Sequence, residues 1–90
     1  MFYTVYILYS TKDKKLYVGC THDLEERVRR HARGQVLATC NRRPLTLILS
    51  ESFESKAKAF NRERFLKSLW GAREKEKILS GFLGAKTISS

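Results

Sequence analysis

Nine consecutive residues, FYTVYILYS from Phe2 to Ser10, constrain this chain more than any other stretch. They are rich in aromatic and β-branched side chains, which is the composition of a strand. They fall far short of the roughly 18 apolar residues needed to cross a bilayer, and Thr4 interrupts them. The stretch also lacks the basic start and small-residue cleavage site of a signal peptide. KLYVG, Lys15 to Gly19, follows the polar segment Thr11 to Lys14 and predicts the second arm of a hairpin. After Pro44, LTLILSESF has a partly alternating character and predicts a third strand that pairs with the hairpin.

Between and after the strands the period changes. Asp23 stands three residues before Glu26, a variant of the capping box, and Leu24, Val28 and Ala32 then recur at helical spacing until Gly34 offers a stop. Arg29, Arg30 and Arg33 fall in the last turns, where positive charge suits the helix dipole. Ser55 caps a second predicted helix from Lys56 to Leu69, and Gly71 separates it from a short third one at Ala72 to Leu79. Gln35 to Arg43 has no period and reads as a basic loop. Ser80 to Ser90 are mostly small or polar and predict a flexible C-terminal tail, from which Phe82 and Leu83 can still dock. The order ββαβαα predicts a small α/β (α+β) domain over residues 1–79, with helices covering the sheet. At 90 residues, 42% apolar and 11% aromatic, one packed core is expected and a second domain is not.

Eighteen Lys and Arg against nine Asp and Glu give a net charge of +9. Such a field attracts polyanions, nucleic acid being the usual one, although charge alone also suits an acidic protein or an anionic membrane surface. Two cysteines, Cys20 and Cys40, are too few for a disulfide scaffold and have no CxxC spacing for structural zinc, so a reducing cytoplasm is the expected location.

Polar residues on apolar stripes are the unusual feature. Arg27 and His31 share or border the face marked by Leu24 and Val28. A snorkelling arginine and a satisfied histidine would account for them. Glu63 lies on the stripe Ala59, Glu63, Leu66, Trp70, and a carboxylate there needs a cation: either a basic side chain such as Arg27 or a metal ion. Tyr6 and Tyr17 lie on the two hairpin arms, where packing is the ordinary role of tyrosine. Together these five side chains are the ingredients of phosphodiester hydrolysis: an arginine for phosphate charge, a carboxylate for a hard divalent cation, and a phenol or imidazole for the proton.

The ordered blocks Thr4-Val5-Tyr6, Tyr17-Val18-Gly19, Arg27, His31 and Glu63 resemble the GIY-YIG nuclease signature. YVGCTHDLEERVRRH, Asn41-Arg42-Arg43-Pro44 and the run Arg62 to Ser68 add to the resemblance, which extends from about Tyr3 to Leu79. It is closest to small members similar to the N-terminal nuclease domain of the bacterial excision-repair endonuclease. The resemblance implies a metal-dependent DNA endonuclease, structure-preferring or weakly sequence-specific, acting in DNA repair or processing. It implies a three-stranded antiparallel sheet flanked by helices. Tyr6 and Tyr17 would line the site, one of them orienting or deprotonating water. Arg27 would stabilise the phosphate, His31 would assist with a proton or phosphate contact, and Glu63 would bind Mg²⁺ or Mn²⁺. Gly19 would permit close backbone approach. Thr4 replaces the motif's first glycine, Val5 and Val18 replace isoleucines, and Cys20 stands where some members carry lysine.

Lys12, Lys14, Lys15, Arg42 and Arg43 are the expected phosphate contacts on DNA, with RNA also possible as a partner and no membrane role expected. The competing functions are a catalytically inactive nucleic-acid-binding module on the same fold and, last, an adaptor for an acidic protein. The adaptor explains the charge but neither Glu63 nor Arg27.

Overall fold

The computed structural model describes residues 2–88. The elements are β1 (Tyr3–Ser10), β2 (Leu16–Thr21), α1 (Leu24–Ala32), β3 (Leu45–Phe53), α2 (Lys56–Lys67), a 3₁₀ turn (Leu69–Gly71) and α3 (Ala72–Ile88). The predicted order ββαβαα is the observed one. The three strands form a single antiparallel sheet in the order β2-β1-β3.

The central place of β1 explains its unbroken apolar run. Both edges are paired and both faces are covered, so Val5, Tyr6, Ile7 and Leu8 are each at most 1% exposed. Successive side chains alternate between the faces. On one face Val5 and Ile7, with Val18 of β2, pack on Ala59 and Leu66 of α2, and Ile78 of α3 closes the cluster. The other face carries Thr4, Tyr6, Leu8 and Ser10 and receives α1 and the loop that follows it.

Local signals set the helix ends. Asp23 Oδ1 accepts a hydrogen bond from Glu26 N at 3.2 Å, and Ser55 Oγ accepts from Lys58 N at 3.3 Å, so both predicted caps form. Beyond α1, Gly34 adopts φ +77°, a left-handed conformation that favours glycine. Arg62 joins three elements, reaching Glu51 of β3 at 2.7 Å and Glu74 of α3 at 2.6 Å.

Two expectations change at the C-terminal side. The second helix stops at Lys67 because Ser68 takes an extended backbone, φ −86° and ψ 169°. The helical phase is lost there, and Trp70 leaves the core stripe to stand 84% exposed. The third helix does not stop at Leu79 but continues to Ile88, so residues 80–88 are helical where a flexible tail was expected. Phe82 lies against Tyr9 with ring centroids 6.5 Å apart. That docking offsets the weak helix propensity of Gly81 and Gly84, about 1 kcal/mol each. Ser89 and Ser90 lie outside the described residues. Among the described residues no helix is long and apolar enough to cross a membrane.

Candidate active site

The strand register brings the two phenols together. Tyr6 lies opposite Gly19, and Tyr17 lies opposite Leu8, so both tyrosines belong to the same sheet face. Their ring centroids are 6.3 Å apart. Gly19 is needed for this arrangement, since a Cβ there would fall inside van der Waals contact of Tyr6 Cζ and Oη. The close approach at Gly19 is therefore made by the Tyr6 ring.

α1 adds the imidazole. His31 is 1% exposed and its ring lies 5.7 Å from that of Tyr6 and 5.0 Å from that of Tyr17. Its Nε2 is 2.9 Å from Tyr6 Oη, and its Nδ1 is 2.7 Å from Thr39 Oγ1. Tyr6 and Thr39 are fully buried, whereas Tyr17 is only half-buried. Tyr17 is therefore the phenol that solvent or a substrate can reach.

Arg27 lies one helical turn before His31, with its guanidinium facing the oxygens of Tyr6 and Tyr17. Its Nε is buried and has no hydrogen-bond acceptor among the described residues. Burial raises the pKa of Tyr6, an effect that Arg27 opposes and the charges of Tyr17 and Glu63 reinforce. Burial lowers that of His31 below 6.5, helped by Arg27 and Arg30. At neutral pH the buried pair is thus a neutral phenol and a neutral imidazole.

Glu63 comes from α2, beside Cys20 of the edge strand β2. Its charge acts on the Tyr6 phenol and, after burial, raises the pKa of the Cys20 thiol. The bridge to Arg27 weighed from the sequence does not form; Glu63 Oε2 pairs instead with Lys67 Nζ at 3.0 Å. A groove of about 360 Å³ opens beside this carboxylate, lined by Phe60, Glu63, Arg64 and Lys67. Among the described residues no three His, Cys, Asp or Glu side chains cluster to form a metal cage.

Of the five cations expected to meet phosphate, Lys12, Lys14, Lys15 and Arg43 are exposed and Arg42 is half-buried. Three of the five also make internal contacts: Lys12 Nζ donates to Asn41 O at 3.0 Å, and Arg43 donates to Cys40 O at 3.1 Å and to Ala32 O at 3.4 Å. Arg42 Nε donates to Asp13 Oδ2 at 2.6 Å, and this contact holds the Asp13 carboxyl at about 2, below its ordinary 3.8. Arg42 thus ties the basic loop to the hairpin turn. Sequence reasoning missed two side chains at the site. Lys67 was within reach of it as the residue four positions after Glu63, but Thr39 lies in an aperiodic loop that gave no signal.

Tyr6, Tyr17, Arg27 and His31 thus meet on one face of the sheet, and Glu63 stands on the adjoining helix α2. The model of the GIY-YIG catalytic domain matches residues 2–77, and the chain belongs to the GIY-YIG family. Within it the chain is similar to small proteins designated UPF0213. A UPF0213 protein of Natronomonas pharaonis is 40% identical over 81 residues, covering 89% of this chain and 93% of that protein. One from Clostridium perfringens is 42% identical over 66 residues, covering 72% of this chain and 70% of its own length. The solution NMR structure of a UPF0213 protein from Bacillus halodurans is 37% identical with a TM-score of 0.56, covering 89% of this chain and 84% of that one.

Proposed function

We propose that this protein is a divalent-metal-dependent endonuclease that hydrolyses phosphodiester bonds in DNA, with structure-preferring or weakly sequence-specific cutting in DNA repair or processing. The observation that carries the reading is the convergence of Tyr6, Tyr17, Arg27 and His31 on one sheet face. The guanidinium faces the Tyr6 and Tyr17 oxygens, where its charge can also meet a phosphate.

The roles divide by exposure. Tyr17, half-buried, meets the attacking water, while sealed Tyr6 and His31 hold the site from behind. Arg27 takes up the charge that grows on the phosphate. Glu63 is the metal residue, and a single carboxylate suits Mg²⁺ or Mn²⁺, which complete their shells with water and substrate phosphate oxygens. Bound there, the ion would supply Lewis acidity at the phosphate. Lys67 neutralises the carboxylate otherwise. Water's oxygen forms the new bond to phosphorus and gives up its proton to solvent past the Tyr17 oxygen, the bond to the leaving sugar oxygen breaks, and that oxygen takes a proton from solvent. Lys14 and Lys15 provide exposed charge for the DNA backbone.

The test incubates wild type and Glu63→Ala with labelled duplex, single-stranded, flapped and branched DNA in Mg²⁺, Mn²⁺ or EDTA. Cutting that needs metal and vanishes in the variant, with binding equal or tighter, is the expected result. Binding without cutting of any DNA, or of RNA, by the wild type would replace this reading with the inactive binding module.

A further inference from the structure

The second helix ends in a turn that displays apolar surface. Leu69 and Trp70 are adjacent and stand 93% and 84% exposed. A single exposed apolar side chain such as Leu37 is ordinary on a protein surface, but a neighbouring pair that includes a tryptophan is not. The turn that carries the pair is firmly built. Ser68 Oγ and Ser68 N both donate to Phe65 O, at 2.6 and 3.0 Å, and Gly71 N donates to Ser68 O at 3.1 Å. Gly71 is buried against the α2 backbone so closely that a Cβ there would run into Phe65 O and Leu66 Cα. Both flanks of the turn are thus pinned to the helix, and the two side chains between them are left in solvent.

We propose that Trp70, with Leu69 beside it, is a stacking platform for an unpaired DNA base and gives the protein a preference for flapped or single-stranded substrates; the proposal rests on the reading of the chain as a nuclease acting on DNA. The surroundings of the pair are cationic. Arg64 and Lys67 occupy the last turn of α2 and Arg73 the first turn of α3, all three exposed. From Arg64 to Glu76 four basic residues stand against two acids, and Glu74 is taken up by Arg62. An aromatic face among phosphate-binding cations is what single strands engage, because every base has a face to stack. A protein partner fits this surface less well. A tryptophan buries about 150–250 Å², whereas each side of a stable protein interface covers about 800 Å².

The platform also lies within reach of the site. Trp70 follows Glu63 along the chain by a distance on the order of 10 Å of helix axis, or about three phosphates of a strand. A base a few nucleotides from a phosphate held at Glu63 therefore meets the indole.

Trp70 is the one tryptophan in the sequence, so intrinsic fluorescence reports on it alone. The test titrates the full chain with an oligothymidylate single strand, a flapped duplex and a long duplex without flaps, in EDTA and at one fixed salt concentration. Anisotropy of labelled DNA follows binding in parallel. Single-stranded and flapped DNA should quench the emission, as a stacked base does, and the long duplex should bind without quenching. Trp70→Ala should weaken binding of the single strand and the flap by about 5- to 150-fold, the range for loss of one base stacked on an aromatic ring, and leave the long duplex unchanged. Trp70→Phe keeps a ring and should stay within about threefold of wild type. Binding of single-stranded or flapped DNA without quenching, or unaltered affinity in Trp70→Ala, overturns the proposal. Emission that shifts with protein concentration in the absence of DNA overturns it too, since the indole would then belong to an interface between copies of the chain. Cutting without quenching removes the platform and leaves the nuclease. Quenching without cutting in Mg²⁺ or Mn²⁺ removes the nuclease and leaves a base-stacking site on a binding module, and absence of binding to any DNA removes both.

Discussion

Gly19→Ala should weaken the fold through a single contact. The backbone at Gly19 is not among the left-handed residues, so alanine is acceptable there on conformational grounds. The whole penalty therefore comes from its Cβ, which meets Tyr6 Cζ and Oη and lies 2.9 Å from Tyr6 Cε1. The ring has nowhere to retreat, because Tyr6 is fully buried and bonded to His31 at 2.9 Å. Overpacking of this kind costs about 1–3 kcal/mol, and loss of the Tyr6–His31 bond adds about 1 kcal/mol. Alanine returns about 0.4–1 kcal/mol by restricting the unfolded chain. The net is about 2 kcal/mol of destabilisation, or a melting temperature lower by about 10 °C in a domain of this size. Urea denaturation of a double-mutant cycle isolates the contact. In a Tyr6→Leu background, Gly19→Ala should be neutral or slightly stabilising, giving a coupling of about 2 kcal/mol. Effects that add to within about 0.5 kcal/mol would refute the packing account.

Other outcomes are expected at the hairpin turn. The carboxyl of Asp13 titrates at about 2 because Arg42 holds it, so its contribution to stability is complete above the ordinary value of 3.8 and is lost as pH falls through about 2. In Arg42→Met an NMR titration should return Asp13 toward 3.8; an unmoved titration would mean that another group sets it. Lys14 holds φ +61° in the same turn, a conformation that glycine adopts with less strain. Lys14→Gly should therefore stabilise the protein by about 0.5 kcal/mol in urea melts, and a loss of stability would show that the lysine side chain itself contributes to the turn.

Element order, strand composition and both helix caps were legible in the sequence because each depends on residues within one or two turns of each other. The periodic stripes also exposed Arg27, His31 and Glu63 as polar residues in apolar company, and the ordered motif blocks tied them to a family. Which cations stayed available was a different matter. Arg42 looked like a phosphate contact until the fold placed Asp13 against it, a partner 29 residues away. Glu63 took Lys67 on its own helix in place of Arg27, since a neighbour one turn away needs no tertiary adjustment.

Composition and period thus determined the layers of this protein, because burial of alternating and helical apolar faces is a local demand on the chain. Only the tertiary structure decided the site's interior. Tyr6 meets His31 across 25 residues and Thr39 reaches the same ring from an aperiodic loop. No local pattern specifies such meetings, because they follow from strand register and from where a loop is tied down. Register likewise set Tyr6 over Gly19, and burial then separated the sealed phenol from the open one. The sequence could name both tyrosines, but access to solvent is a property of the assembled sheet.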